Sequence, residues 1–304
     1  MSIAQRLGLG LKRGVDATMG AVAARLLDAI GWIDPVGLAN CAAAFMRTVG
    51  PYFPEHRVGR ENLKAAFPEK PAAEIEAILL GVWDNLGRFA AEFAHLERLW
   101  ADDRQAAPER VAFGQKGLEI FEQLRSDGKP ALIFAAHLAN WEIPALAAAA
   151  LGFDSTVLFR LPNLGGLAEA IVGRRLAHMG QLIRTGPDAP FRLARALDAG
   201  SHVGMLVDQH YTKGVDVMFF DRPCKANPLL ARLARHYDCP VHGVRIIRIG
   251  NGQFRGEVTD PIEVPRDPDG RVNIQGTMQT ITAVVEQWVR EYPEQWLWLH
   301  RRWR

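Results

Sequence analysis

A chain of 304 residues, 48% of them hydrophobic, buries roughly three quarters of the surface its unfolded form exposes. That excludes a disordered polymer and allows one large domain with a helical appendage, held together without disulfides or metals. The formal charge is only +2, but His300-Arg301-Arg302-Trp303-Arg304 concentrates positive charge beside the aromatic Gln295-Trp296-Leu297-Trp298-Leu299, an asymmetry the net figure hides. Cys41, Cys224 and Cys239 are too few and too scattered for a disulfide framework, and no CxxC pair accompanies them, in keeping with a main domain in a reducing compartment.

No secretory signal is read at the N-terminus, because Arg6, Lys12 and Arg13 are not followed by an uninterrupted apolar stretch and a cleavage site. From Val15 to Met46 the chain is apolar-rich, but Asp16, Arg25, Asp28 and Asp34 interrupt it and Pro35 divides two helices. Its charge-free portions fall short of the roughly 20 residues that one helix needs to cross a bilayer. The expectation is a membrane-adjacent helical hairpin, with leucines entering the interface while Arg6, Lys12 and Arg13 stay near anionic headgroups. Residues 1–54 then form a helical membrane-associating region and 55–304 the main domain. The plainer alternative is an ordinary helix packed on that domain.

After Arg60-Glu61-Asn62-Leu63 and Ala66-Phe67-Pro68, the apolar positions Ile75, Ile78, Leu79, Val82, Leu86, Phe89 and Phe93 predict a long amphipathic helix from Ala72 to Trp100. Gly81 and Gly87 disturb its uniformity. Helical patterns then alternate with short apolar runs, as an α/β domain requires. Gln115 to Leu124 reads as a helix, Ala131 to Ala136 as a strand, Ile143 to Ala150 as a helix and Thr156 to Phe159 as a strand. Helices are expected over Leu167–Met179 and Pro190–Ala199, then a strand over Val203–Val207. Asn227 to Tyr237 has helical character. Val241–Ile249 and Gln253–Val258 pair across Gly250-Asn251-Gly252, whose Asn-Gly favours a hairpin. Met278 to Tyr292 is the last amphipathic helix.

Within this pattern His137 follows a run that should enter the core, and a residue at a strand end is held firmly while staying accessible. Its imidazole there could take a proton from an acceptor hydroxyl and so prepare it to attack an activated acyl group. Glu142 could accept the other imidazole proton and fix the tautomer. A five-residue offset sets the two about 140° apart on an ideal helix, so a turn at His137 must lead into the helix near Glu142. Alone, Glu142 reads as a first-turn carboxylate favoured by the helix dipole, and His137 as a polar surface or hydrogen-bonded core residue.

His137-Leu138-Ala139-Asn140-Trp141-Glu142 resembles the histidine, four intervening residues and acidic residue of the glycerolipid acyltransferase superfamily. Arg60-Glu61-Asn62-Leu63, Asn85-Leu86-Gly87-Arg88, Asp208-Gln209, Phe219-Phe220, Pro293-Glu294-Gln295 and His300-Arg301-Arg302-Trp303 are similar to the bacterial lauroyl/myristoyl acyltransferases of lipid A biosynthesis. The likeness runs from about residue 55 to 303. It implies a mixed central sheet flanked by helices, with His137 as general base and Glu142 supporting it. It further implies an acyl-carrier-protein thioester as donor, a hydroxyl of a lipid A precursor as acceptor, and a place at the cytoplasmic face of the bacterial inner membrane. Coenzyme A as donor, or another membrane glycolipid as acceptor of an acyl or glycosyl group, is the alternative.

By the same resemblance Arg174, which follows Gly173, or else Arg175, pairs with a substrate phosphate or with charge near the thioester carbonyl, beyond Arg160 in Arg160-Leu161-Pro162. Alternatively, either lies on a solvated helix surface. Asp208 orients the acceptor hydroxyl or an arginine, or else caps backbone amides. His210-Tyr211-Thr212-Lys213-Gly214 departs from the usual aspartate-tyrosine-glycine continuation. Phe219, Phe220, Pro223 and Pro228 border an acyl pocket or simply fill a core. Trp296, Trp298 and Trp303, interleaved with Arg301, Arg302 and Arg304, suit a membrane interface. Binding to nucleic acid would leave the histidine and its acid unexplained, so nucleic acid is not an expected partner. No metal or redox cofactor is implied.

Overall fold

The computed structural model describes residues 33–99, 110–160, 167–250 and 252–303. The first arm of the expected N-terminal hairpin, with Arg6, Lys12 and Arg13, lies outside them.

Helix α1 (Pro35–Val49) opens with Pro35 in its first turn, and the Asp34 side chain accepts the Gly37 amide at 2.6 Å. Proline lacks an amide that this position would leave unpaired, so it starts the helix well. Helix α2 (Pro54–Ala66) follows, then α3 (Ala72–Phe93), which runs unbroken through both glycines. They serve close approach: a Cβ at Gly87 would lie 2.5 Å from the Ala42 carbonyl oxygen, and one at Gly81 would lie 2.6 Å from Glu294 Cβ. The long helix ends at Phe93 rather than Trp100. After a turn at Ala94 and the wholly buried His95, a four-residue helix α4 (Leu96–Leu99) follows.

A seven-stranded sheet is built from β1 (Val111–Phe113), β2 (Leu132–Ala135), β3 (Ser155–Phe159), β4 (Gln181–Arg184), β5 (His202–Leu206), β8 (Val241–Gly250) and β9 (Gln253–Val258), in the order β1-β9-β8-β2-β5-β3-β4. Pairing is parallel except between β8 and β9, which makes the sheet mixed, as expected. The hairpin of β6 (Val215–Phe219) and β7 (Arg222–Ala226) stands apart from it.

Helices α8 (Ala189–Asp198), α9 (Leu229–Tyr237) and α10 (Ile274–Glu291) cover one face, where Leu132, Phe134, Val203 and Val285 are buried and Phe134 stacks on Trp288. Helices α5 (Gln115–Ser126), α6 (Ile143–Ala150) and α7 (Leu167–His178) lie on the other, over Ile246, Phe254 and Ile133. The alternation of β2 side chains between these cores is the period of two that a strand imposes.

Tertiary contacts decide three points. Trp296 and Trp298 are wholly buried and Arg302 is 2% exposed. They belong to the interior and offer no membrane interface. Phe219 and Phe220 close on Trp296, Trp298 and Trp303 in an aromatic cluster instead of bordering a pocket. The β6–β7 hairpin was not foreseen, because Phe220 and Asp221 hold positive φ in its turn, where glycine or asparagine is the usual signal. The packing of Phe220 between Phe67 and Trp298, with Arg290 over its ring at 4.3 Å, holds that conformation.

Candidate active site

Strands β2 and β5 are neighbours, parallel, with Ala135 opposite Leu206. Two residues past each, at the carboxyl end of the sheet, stand His137 and Asp208, where open α/β sheets collect their ligands. His137 Nδ1 donates to Asp208 Oδ1 at 2.8 Å, while its backbone amide donates to Oδ2 at 2.8 Å. Trp296 Nε1 is a third donor, also at 2.8 Å. Burial would raise the Asp208 pKa, but His137's charge and hydrogen bonds outweigh it and hold the carboxyl well below the usual carboxylate range. An ionised carboxylate only accepts, so Nδ1 carries a proton, and whenever the imidazole is neutral its lone pair is on Nε2.

The turn from His137 to Glu142 exists as expected, but the expected hydrogen bond between them does not. Ala139 adopts a positive φ of 48°, and α6 begins only at Ile143, so Glu142 points away from the imidazole to meet Arg175 of α7. Arg175 Nε donates to Glu142 Oε2 at 2.9 Å and a second nitrogen engages Oε1. The two side chains are 14% and 6% exposed. The acid on the histidine is Asp208, and Glu142 is the carboxylate that aims an arginine.

Arg174, next to Arg175 in the chain, donates to the Ala94 carbonyl at 3.0 Å, in the turn that leads into α4. Arg160 is exposed just past β3, at the same sheet end as His137.

Behind the turn lies a polar frame for which sequence reasoning had no signal. Arg248 pairs with Glu92, reaching Oε2 at 3.0 Å, and its Nε donates to Asn85 Oδ1 at 3.0 Å. Asn140 donates to Glu92 Oε2 at 2.9 Å. Asn85 donates at 3.2 and 3.3 Å to the Ala139 and Gln295 carbonyls. The segment around Trp296 pairs antiparallel with Leu138, giving Ala139 N to Gln295 O and Leu297 N to His137 O. Asn62 holds the next stretch by donating to the Trp298 and His300 carbonyls. Each buried polar group here finds a partner, which is the condition for such a frame to stiffen rather than weaken a site.

Two further groups attend the imidazole. The Trp141 ring lies 5.2 Å from it and stacks on Phe89 at 3.8 Å, both partly exposed, giving the base an apolar wall. Gln209 Nε2 lies 3.2 Å from His137 Nε2. Burial pushes His300 down to about 4 against the opposing pull of Asp208, so this second histidine is neutral near pH 7. Among the described residues no group of three His, Cys, Asp or Glu side chains is placed to hold a metal.

The arrangement can remove a proton from a neutral nucleophile beside an apolar wall, with a buried arginine in the neighbouring helix. A family model described as bacterial lipid A biosynthesis acyltransferase matches residues 29–304. No curated protein matches the chain.

Proposed function

The chain belongs to the bacterial lipid A biosynthesis acyltransferase family, and from that premise we propose that it moves a fatty acyl group from an acyl-carrier-protein thioester to a hydroxyl of a lipid A precursor, with His137 as general base. The observation that carries this reading is the His137 Nδ1 to Asp208 hydrogen bond at the ends of β2 and β5, which makes Nε2 the nitrogen turned to the substrate.

The acceptor hydroxyl gives its proton to Nε2 as its oxygen attacks the thioester carbonyl, and Asp208 stabilises the imidazolium so formed. Negative charge on the carbonyl oxygen falls to the Arg175 guanidinium, which Glu142 holds in place. The carbon–sulfur bond then breaks and the imidazolium returns its proton to the leaving thiolate. The Trp141–Phe89 stack is the wall along which the acyl chain lies, and each methylene buried there contributes about 0.8 kcal/mol. Arg160, at the same sheet end, meets a phosphate of the acceptor. Residues 1–54 attach the enzyme to the cytoplasmic face of the inner membrane. The exposed Phe45 and Tyr52 supply aromatic groups suited to an interface, and Arg47 and Arg57, close to them in sequence, are exposed cations paired with Asp84 and Glu61. Among the described residues no helix is long and apolar enough to cross a membrane.

The test is mass spectrometry of transfer from acyl-carrier-protein and coenzyme A thioesters to a Kdo-bearing tetra-acylated lipid A precursor, with His137→Ala as control. A His137-dependent gain of one acyl group is the expected result. A His137→Ala enzyme that transfers as fast as the parent would remove the base.

A further inference from the structure

Asp208 accepts from Nδ1 of His137, so in the neutral imidazole that acts as base Nε2 has one lone pair and only a donor can satisfy it. The Gln209 side-chain amide lies 3.2 Å away and supplies that donor through its NH2. The contact therefore occupies the very lone pair that must take the acceptor's proton. Gln209 follows β5 in a partly exposed bend, so its side chain has room to leave. The imidazole itself is only 14% exposed, with Trp141 against it.

We propose that Gln209 is a positioning residue that guards the base: without acceptor it keeps water off Nε2, and an acceptor hydroxyl displaces it. This rests on His137 being the base. The reaction it restrains is hydrolysis of the donor. There a water oxygen attacks the thioester carbonyl while Nε2 takes its proton, the carbon–sulfur bond breaks, and the thiolate takes a proton from the imidazolium. The products are a carboxylic acid and a free thiol, and no other reactant is needed. The enzyme's choice between transfer and hydrolysis is thus set at one amide. A hydrogen bond of ordinary net strength corresponds to a factor of about ten.

The experiment uses the full chain with dodecanoyl and tetradecanoyl thioesters of acyl carrier protein. Thiol release is followed without acceptor, and acyl transfer is followed by mass spectrometry with the tetra-acylated precursor. Gln209→Ala and Gln209→Met, the second keeping the volume without the donor, are each expected to raise the ratio of hydrolysis to transfer about tenfold. That ratio is independent of the folded fraction, since both reactions use the same folded molecules. Gln209→Glu, whose carboxylate favours the imidazolium, is expected to move the acid limb of the transfer profile to higher pH. An unchanged ratio in both the Ala and Met variants, with His137→Ala inactive, overturns the guard and leaves the base standing. Transfer that survives in His137→Ala overturns the base, and the guard with it.

Discussion

Two carboxylates flank the reactive turn, and their partners give them different work. Asp208 touches the imidazole and accepts from Nδ1, whereas the Glu142 side chain pairs with Arg175, the arginine proposed to meet the carbonyl oxygen. Asp208→Asn keeps the shape but lets its amide donate toward Nδ1, which moves the imidazole proton to Nε2 and removes the base. Steady-state transfer should fall on the order of a thousandfold or more. Glu142→Gln retains a hydrogen bond to Arg175 and loses only charge, so its loss should be smaller, on the order of tenfold to a hundredfold. If Glu142→Gln proves the more damaging, the division of roles described here is wrong. The sequence pointed to His137 and to both acids, but it gave the imidazole to Glu142, where the structure gives it to Asp208. That depends on two features no spacing rule reveals: the positive φ at Ala139 and the register that sets Ala135 beside Leu206.

At the scale of elements, the site is a loop braced by a helix, a strand and the C-terminal segment. Asn85, in the middle of α3, ties the carbonyls of Ala139 and Gln295 together and receives Arg248 on its other atom. Asn85→Ala takes the side-chain partner from the Ala139 carbonyl and from Arg248 Nε, while the Gln295 carbonyl keeps the Ala139 amide, at about 1–3 kcal/mol for such a vacancy. Thermal unfolding should show a loss in that range, and transfer should drop further than the lost folded population explains, because His137 is no longer held in register. Transfer that tracks the folded fraction would reduce Asn85 to a stability residue. Element types were largely legible: Ile143–Ala150 matches in both bounds and Gln253–Val258 in the second strand of its hairpin. What escaped was short or unusual. Three-residue β1 and four-residue β4 offer too little periodicity to read, and the Phe220-Asp221 turn lacks glycine. The buried frame of Glu92, Asn140 and Arg248 looks in sequence like ordinary surface polarity. Only tertiary contact reveals it.

Taken whole, the molecule keeps its aromatic tail inside and offers other aromatics outside. The C-terminal tryptophans, in sequence the obvious membrane anchors, are spent on the core. Phe45 and Tyr52 are 62% and 86% exposed. Converting both to serine should weaken sedimentation with anionic phospholipid vesicles by about tenfold while leaving thermal stability unchanged, because burying two half-inserted rings is worth about 1–2 kcal/mol. Binding that does not change would move the membrane contact away from this helix.

The hydrogen bond from Asn85 to the Gln295 carbonyl joins residues 210 positions apart in the chain, and Asn62 reaches the His300 carbonyl across 238. A ribosome makes the histidine early and the strand that braces it late. While the chain is still emerging, the turn at His137 has no partner for its carbonyl and Asp208 lacks its indole donor. The turn around His137 can therefore take its final set of hydrogen bonds only once the segment around Trp296 has been made and folded back onto it.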